Sequence, residues 1–272
     1  MRIACVQLAI EGGDVAGNLE RALAAVDDAA DRGADLIALP ELFDVGYFAF
    51  DAYPRAAVSL ESERLERFRA RAAEHGVAVL AGTIVEDLGA SAEAGLAVPD
   101  STGLANTAVL FDSTGERRLV YRKHHLFGYE SAEAERLVPG ERLTTAELSG
   151  VRIGVTTCYD LRFPELYRRL LEEGVDLVIV PSAWPYPRVE HWRTLARSRA
   201  IENLAYVAAV NGSGSFDGGD TLLGRTTVYD PWGTPVSTTD DAPDVVYADV
   251  DPGRVASIRE DFPALRDRRS DR

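Results

Sequence analysis

The sequence predicts an α/β protein folded as a four-layer α-β-β-α sandwich with an internal pseudo-twofold duplication. Three observations carry that expectation. The chain repeats itself: GADLIALP (Gly33–Pro40) returns as GVDLVIVP (Gly174–Pro181), and the turn segment ending DSTG (Asp112–Gly115) is echoed by DPWG (Asp230–Gly233). The strand segments are near-continuous apolar runs, which implies sheets covered by helices on at least one face. Helical stretches alternate with those strands in the same order in both halves.

In chain order, Met1-Arg2-Ile3 opens one strand and Val151–Val155 opens its counterpart. A helix follows each, over Asn18–Arg32 and Pro164–Glu173, and then come the two near-copied strands. Second helices are expected over Glu61–His75 and His191–Asn203, followed by strands over Val77–Val85 and Ala205–Val210. The Asp112 and Asp230 tetrads are turn chemistry joining hairpin strands. Each half thus reads β-α-β-α-β-β-β. No Gly/Ser/Pro-rich linker separates them, so residues 1–272 are read as a single domain. Its pseudo-repeats cover about 1–150 and 151–250, with a C-terminal tail over about 251–272. Asp87–Asp100, acidic and Ala-rich, is expected to be a solvated loop, and Arg266–Arg272 an exposed tail or an oligomer contact.

Composition narrows the function. The net charge of -15 opposes non-specific binding to nucleic acid or anionic lipid. No apolar run approaches the ~18–20 residues that span a bilayer, and MRIACVQLAIEGGD reaches acidic residues too soon for a signal-peptide core. A cytoplasmic protein is expected. The two cysteines, Cys5 and Cys158, are too few for a disulfide framework, and Cys5 reads as a small buried hydrophobe. His75, His124, His125 and His191 show no metal-ligand spacing, so no metal is expected.

Of the 29 Lys and Arg residues, one is lysine, Lys123, in VYRKHHLFG (Val120–Gly128). A codon or salt bias readily exchanges surface lysine for arginine. A lysine that survives suits a site needing a compact charge that can sit beside a developing anion and transfer a proton. Two other polar groups also emerge where apolar strands end: Glu41 after DLIALP, and Cys158 after VRIGVTT. In parallel α/β sheets, function collects at those carboxyl ends. Taken singly, Glu41 could begin a helix, Cys158 could be a quiet core thiol, and Lys123 could be solvated. Together, thiol, carboxylate and ammonium form a set for acyl transfer. The thiolate attacks, with its pKa expected to fall beside the cation; the carboxylate moves protons; the ammonium and the Tyr159 backbone N–H hold a tetrahedral oxyanion.

These segments resemble the nitrilase superfamily, the carbon–nitrogen hydrolases. The matching stretches are LPELF (Leu39–Phe43), YRKHHLF (Tyr121–Phe127), CYDLRFPE (Cys158–Glu165), RAIEN (Arg199–Asn203) and DPWG. The resemblance covers the chain in order and implies the same α-β-β-α sandwich. It implies Cys158 as nucleophile, Glu41 as general base, and Lys123 as oxyanion stabiliser and proton donor. It also implies a second glutamate in the loop before Pro139-Gly140. Glu133, seven residues before Gly140, fits that position, with Glu130 and Glu135 as rivals. Tyr159-Asp160 after the cysteine departs from the Trp-Glu of true nitrilases, which counts against nitrile hydrolysis. CYDLRFPE looks most like the Nit-type, omega-amidase-like branch. The resemblance therefore implies a cofactor-independent amidase acting on a small-molecule carboxamide through a Cys thioester. An N-carbamoyl amino acid amidohydrolase with the same triad is the alternative, and a homodimer or larger homo-oligomer is implied as well. Tyr47, Tyr129 and Trp184 are candidates to line the substrate pocket. Arg162 or Arg188 could hold a substrate carboxylate, although Arg162 is expected to make a structural ion pair. His191 is expected to make a structural hydrogen bond, and His124 and His125 to orient the lysine loop. Lys123→Arg is expected to keep the fold and lose the activity.

Overall fold

The structure, a computed structural model, describes residues 1–129 and 131–269. Its first half runs β1 (Arg2–Gln7), α1 (Val15–Asp31), β2 (Leu36–Ala38), α2 (Tyr53–Ala56), α3 (Glu63–His75), β3 (Ala78–Leu80), β4 (Ile84–Asp87), α4 (Leu88–Glu93), β5 (Leu104–Phe111), β6 (Arg117–Arg122), α5 (Glu133–Arg136) and β7 (Thr145–Leu148). The second runs β8 (Val151–Val155), a 3-10 turn (Cys158–Arg162), α6 (Pro164–Glu172), β9 (Leu177–Ser182), α7 (Val189–Asn203), β10 (Tyr206–Asn211), β11 (Ser213–Ser215), β12 (Thr221–Leu223), β13 (Thr227–Tyr229), β14 (Pro235–Thr238), β15 (Asp244–Asp249) and α8 (Pro252–Asp261).

Two large sheets result. One has the order β15-β1-β2-β3-β5-β4 with β6 on β5, and the other the order β14-β13-β10-β9-β8-β7. In each, three parallel strands (β1, β2, β3 and β8, β9, β10) are followed by an antiparallel hairpin (β5–β6 and β13–β14). The halves exchange their last strands. β7 closes the first half yet pairs antiparallel with β8, and β15 closes the second yet pairs antiparallel with β1. The β-α-β-α-β-β-β reading of each half ends on its hairpin and omits this last strand, which in each half belongs to the opposite sheet.

Alternation along the strands makes three core layers from one sequence pattern. Ile3, Cys5, Leu36 and Ala38 face Ile153, Val155, Leu177 and Ile179 between the sheets. Their neighbours Ala4, Val6, Ile37 and Leu39 face outward against Leu19, Leu23 and Val26 of α1 and Leu65 and Phe68 of α3. Val178, Val180, Val207 and Ala209 do the same against Tyr167 and Leu170 of α6 and Trp192 and Ala196 of α7. At about 1.5–3 kcal/mol for each large apolar side chain buried, these layers dominate the stability.

Local chemistry sets the element ends. The Asp14 side chain accepts from Gly17 N at 3.0 Å, so α1 starts at Val15 and not at Asn18, whose buried amide instead bonds the carbonyls of Glu11 and Asp44. The strand expected over Val77–Val85 is broken at Gly82, whose φ is +32° and where a Cβ would lie 2.1 Å from the Pro40 carbonyl oxygen. The acidic segment after Asp87 is not a bare solvated loop. Asp87 caps α4 through Ala90 N, and Leu88 and Ser91 are buried. Residues expected as a tail form α8, capped by Asp251, with Val255 packed in the layer between the sheets. Arg268 pairs with Glu172 at 2.6 Å, and residues 270–272 of the arginine-rich end lie outside the described residues.

Candidate active site

Three strand ends deliver the candidate side chains to one place. β2 runs through Leu39 and Pro40 to Glu41, β6 ends one residue before Lys123, and β8 leads through Thr156 and Thr157 to Cys158. Glu41 does not begin a helix; it sits in a turn. Leu42, at φ +44°, donates its N–H to Thr83 Oγ1 at 2.7 Å. Cys158 has φ +45° at the head of the 3-10 turn. A left-handed conformation is strained for residues with side chains and persists only where the surroundings hold it. Here Asp160 does so, accepting from Thr157 N at 2.9 Å, Tyr121 OH at 2.6 Å, and both His125 N and Nδ1 at 3.0 and 2.8 Å. The His125 ring stacks on Phe163 with centroids 3.6 Å apart, so this histidine ties the lysine loop to the cysteine turn.

Lys123 is completely buried between two carboxylates. Its Nζ donates to Glu41 Oε1 at 2.8 Å and to Glu133 Oε1 and Oε2 at 2.7 and 3.0 Å. Of the two loop glutamates among the described residues, Glu133 is placed here and Glu135 is exposed; Glu130 lies outside them. Glu133 also accepts from Tyr47 OH at 3.0 Å and Phe127 N at 2.8 Å. The loop carrying it returns because Gly140 lies against the end of β6. Its N–H donates to the Lys123 carbonyl at 2.9 Å, and a Cβ there would sit 2.1 Å from the Arg122 oxygen. Glu41 Oε2 accepts from Ala183 N at 2.8 Å, just past the end of β9. A residue that sequence reading missed joins both acids: Asn106 in β5 donates from Nδ2 to Glu41 Oε1 at 2.8 Å and to Glu133 Oε1 at 3.3 Å. The available signal was an Asn within the apolar strand LANTAVLF.

Burial governs the titration of this cluster. It raises the Glu41 pKa above the ordinary carboxylate range, and the Lys123 charge only partly opposes it. For Lys123 burial acts downward, but Glu133 and Glu41 outweigh it and hold the ammonium's pKa well above its usual value. Cys158 moves opposite to the expectation of a lowered thiol pKa. Burial and then the Glu41 charge push it well up, and the Lys123 charge does not reverse that. Cys158 therefore rests as a neutral thiol. The first turn of the 3-10 segment leaves the Cys158 and Tyr159 N–H groups without intrahelical acceptors, which makes the Tyr159 N–H a ready donor beside the thiol.

Of these groups, Lys123, Cys158 and Tyr159 line a pocket of about 190 Å³. All three aromatic candidates line it: Tyr47 buried beneath, Trp184 buried with its indole N–H on the Arg188 carbonyl at 3.1 Å, and Tyr129 exposed at the mouth. Arg162 corrects its expectation. Among the described residues it pairs with no carboxylate; it lies over the Trp184 and Tyr159 rings, bonds His191 Nδ1 at 3.2 Å, and lines the pocket with Arg188. His191 thus makes the structural hydrogen bond expected of it.

The profile of the family described as carbon-nitrogen hydrolase matches residues 2–260. The 2-oxoglutaramate amidase of Paenarthrobacter nicotinovorans is 37% identical over 242 residues, covering 88% of this chain and 79% of that protein. Omega-amidase NIT2 of Xenopus tropicalis is 32% identical over 261 residues, covering 93% and 90%. Among solved structures, the amidase from Nesterenkonia sp. AN1 carrying acrylamide added at its active-site cysteine is similar at TM-score 0.80 and 27% identity, covering 97% of this chain and 99% of that one.

Proposed function

This chain belongs to the carbon–nitrogen hydrolase family, and from that premise we propose that it is an omega-amidase-like enzyme hydrolysing a small-molecule carboxamide to acid and ammonia through a thioester on Cys158. One observation carries the assignment of roles: three buried strand-end side chains converge, with Lys123 Nζ 2.8 Å from Glu41 Oε1 and with Lys123 and Cys158 lining the same pocket.

Because the thiol rests neutral, attack and proton transfer go together. Cys158 Sγ bonds to the amide carbon as its proton passes to Glu41. The oxyanion forms between the Lys123 ammonium and the Tyr159 N–H, donors already in place before the charge develops. When the tetrahedral adduct collapses, the C–N bond breaks and the leaving nitrogen takes the proton held by Glu41, releasing ammonia and leaving the thioester. A water then gives a proton to Glu41 and adds to the thioester carbon; the second adduct expels the Cys158 sulfur, which recovers that proton, and the acid departs. Glu133 keeps the ammonium aimed. Arg162 and Arg188 at the rim suit a substrate bearing a carboxylate, as an alpha-keto acid amide does, and Tyr129 and Trp184 wall its path.

The reading includes a single-domain enzyme acting in the cytoplasm, where free thiols stay reduced, and assembling as a homodimer or larger homo-oligomer. Exposed Ile201, Trp232 and Phe262 support the assembly. The test is ammonia release over a panel of alpha-keto acid amides, aliphatic amides, carbamoyl amino acids and nitriles. Turnover is expected to be fastest on the keto acid amides and lost in Cys158→Ala. Undiminished activity in that variant refutes the mechanism, and preference for carbamoyl amino acids moves the substrate to the alternative class.

A further inference from the structure

We propose that Asn106 is a positioning residue of this site: its amide bridges the two carboxylates that share Lys123 and keeps Glu41 ionised to serve as base. The cluster holds two carboxylates and one ammonium without exposure to solvent. Such a set has one negative charge in excess, and burial drives it to take up a proton. Glu41 is the acid shifted that way, and a Glu41 that keeps its proton cannot accept one from the thiol.

Asn106 opposes this without adding charge. A primary amide carries two N–H bonds on one nitrogen, and here Nδ2 reaches Glu41 Oε1 at 2.8 Å and Glu133 Oε1 at 3.3 Å. The other end of the side chain shows what sets its orientation. Asn106 Oδ1 is buried and has no hydrogen-bond partner among the described residues. Leaving a buried acceptor unmade is costly, so the donors' contacts with the carboxylates outweigh the acceptor's own needs. Turning the amide over would set an oxygen against two anions. Aspartate offers no donors in this place, and leucine neither donors nor acceptors. The backbone reinforces the arrangement: Lys123 N donates to the Asn106 carbonyl at 2.9 Å, so one residue of β5 fixes the lysine's main chain and both of its carboxylate partners.

The inference rests on Glu41 acting as the base, and its test separates the two. In Asn106→Leu and Asn106→Asp, the pH profile is measured for ammonia release and, without any amide, for alkylation of Cys158 by iodoacetamide. Losing the donor disfavours the charged form of Glu41 and raises its pKa further. The acid limb of kcat therefore moves to higher pH by about one to two units, a ten- to hundredfold loss on that limb, with KM little changed. The alkylation limb moves with it. Asn106→Ser, smaller and able to keep one donor, is read the same way if the first two variants do not fold, with a smaller shift expected. A folded variant whose two acid limbs coincide with those of the unmodified enzyme overturns the proposal, as does one changed only in Tm. If no amide is turned over, the substrate reading fails, while the alkylation profile alone still decides the role of Asn106.

Discussion

Asp35 and Asp176 occupy matching places in the two halves and do the same work. Each accepts a backbone N–H at the start of the neighbouring strand, Arg2 at 2.7 Å and Arg152 at 3.0 Å, and each returns its own N–H to that residue's carbonyl at 2.8 Å. Gly33 and Gly174 precede them at φ +79° and +77°, and Asp112 and Asp230 close both hairpin turns through side-chain oxygens. Then the strands end, and the likeness stops. Where the first half has Glu41, the second has Ser182; where the second has Cys158, the first has Leu8, packed in the core under α1. Duplication supplied a symmetric frame, and the chemistry occupies only some of its strand ends. The unused ends still contribute backbone: Ser182 O accepts from Glu41 N at 3.4 Å, and Ala183 N–H holds the carboxylate.

If that asymmetry is the function, substitutions at matching positions must have unequal effects. Glu41→Gln is expected to lower kcat by about 10²–10⁴-fold, the range for a lost general base, while Ser182→Ala leaves it unchanged. The pH profile carries the sign: the base works deprotonated and burial raises its pKa, so kcat falls as pH drops through a limb lying above the ordinary carboxylate range. Lys123→Arg comes next. It keeps the charge but moves it off the oxyanion position, for a loss of about 10²–10³-fold in kcat. The closed cluster adds something the sequence did not suggest: a broader guanidinium overpacks it, costing about 1–3 kcal/mol in urea unfolding. An arginine variant with full activity would show that charge alone suffices there.

How much of this the sequence carried depends on whether the signal was local. The duplicated strands, the parallel cores and the three polar strand ends are each written within a few adjacent residues, and the structure brings Glu41 against Lys123 and sets Lys123 and Cys158 on one pocket. The reciprocal exchange of β7 and β15 is a partner choice between distant segments, which no local periodicity records. Asn106 was hidden for a similar reason, since its role depends on two acids 65 and 27 residues away. The direction of the Cys158 shift failed because adjacency to a cation was legible and complete burial beside a second anion was not.

Asp160 tests the comparison more gently. Its counterpart by position in the first half is Ile10, so the hydrogen-bonded knot of Tyr121, His125 and Thr157 around it belongs to the cysteine turn alone. Asp160→Asn keeps the volume and removes the charge that gathers these donors. A loss of about tenfold in kcat is expected, equivalent to one charge-assisted hydrogen bond no longer holding the left-handed turn, together with a lower Tm. The iodoacetamide reaction of Cys158 is expected to slow in parallel, because the thiol then spends less time against Glu41.

The smallest effects belong to the frame itself. Asp35→Asn and Asp176→Asn each weaken one charge-assisted bond to a strand-opening N–H, for about 0.5–1.5 kcal/mol in urea unfolding. Asp176 also has Arg259 at 3.8 Å, a long and partly exposed pairing that adds little. The two losses are therefore expected to be nearly equal, with kcat unchanged in both. Asp176 immediately precedes β9, which ends beside Ala183, and Asp35 immediately precedes β2, which leads through Leu39 and Pro40 to Glu41. A fall in kcat in Asp35→Asn alone would mean that the first half's frame is tuned to its carboxylate, and the symmetric scaffold would no longer be separable from the asymmetric chemistry it carries.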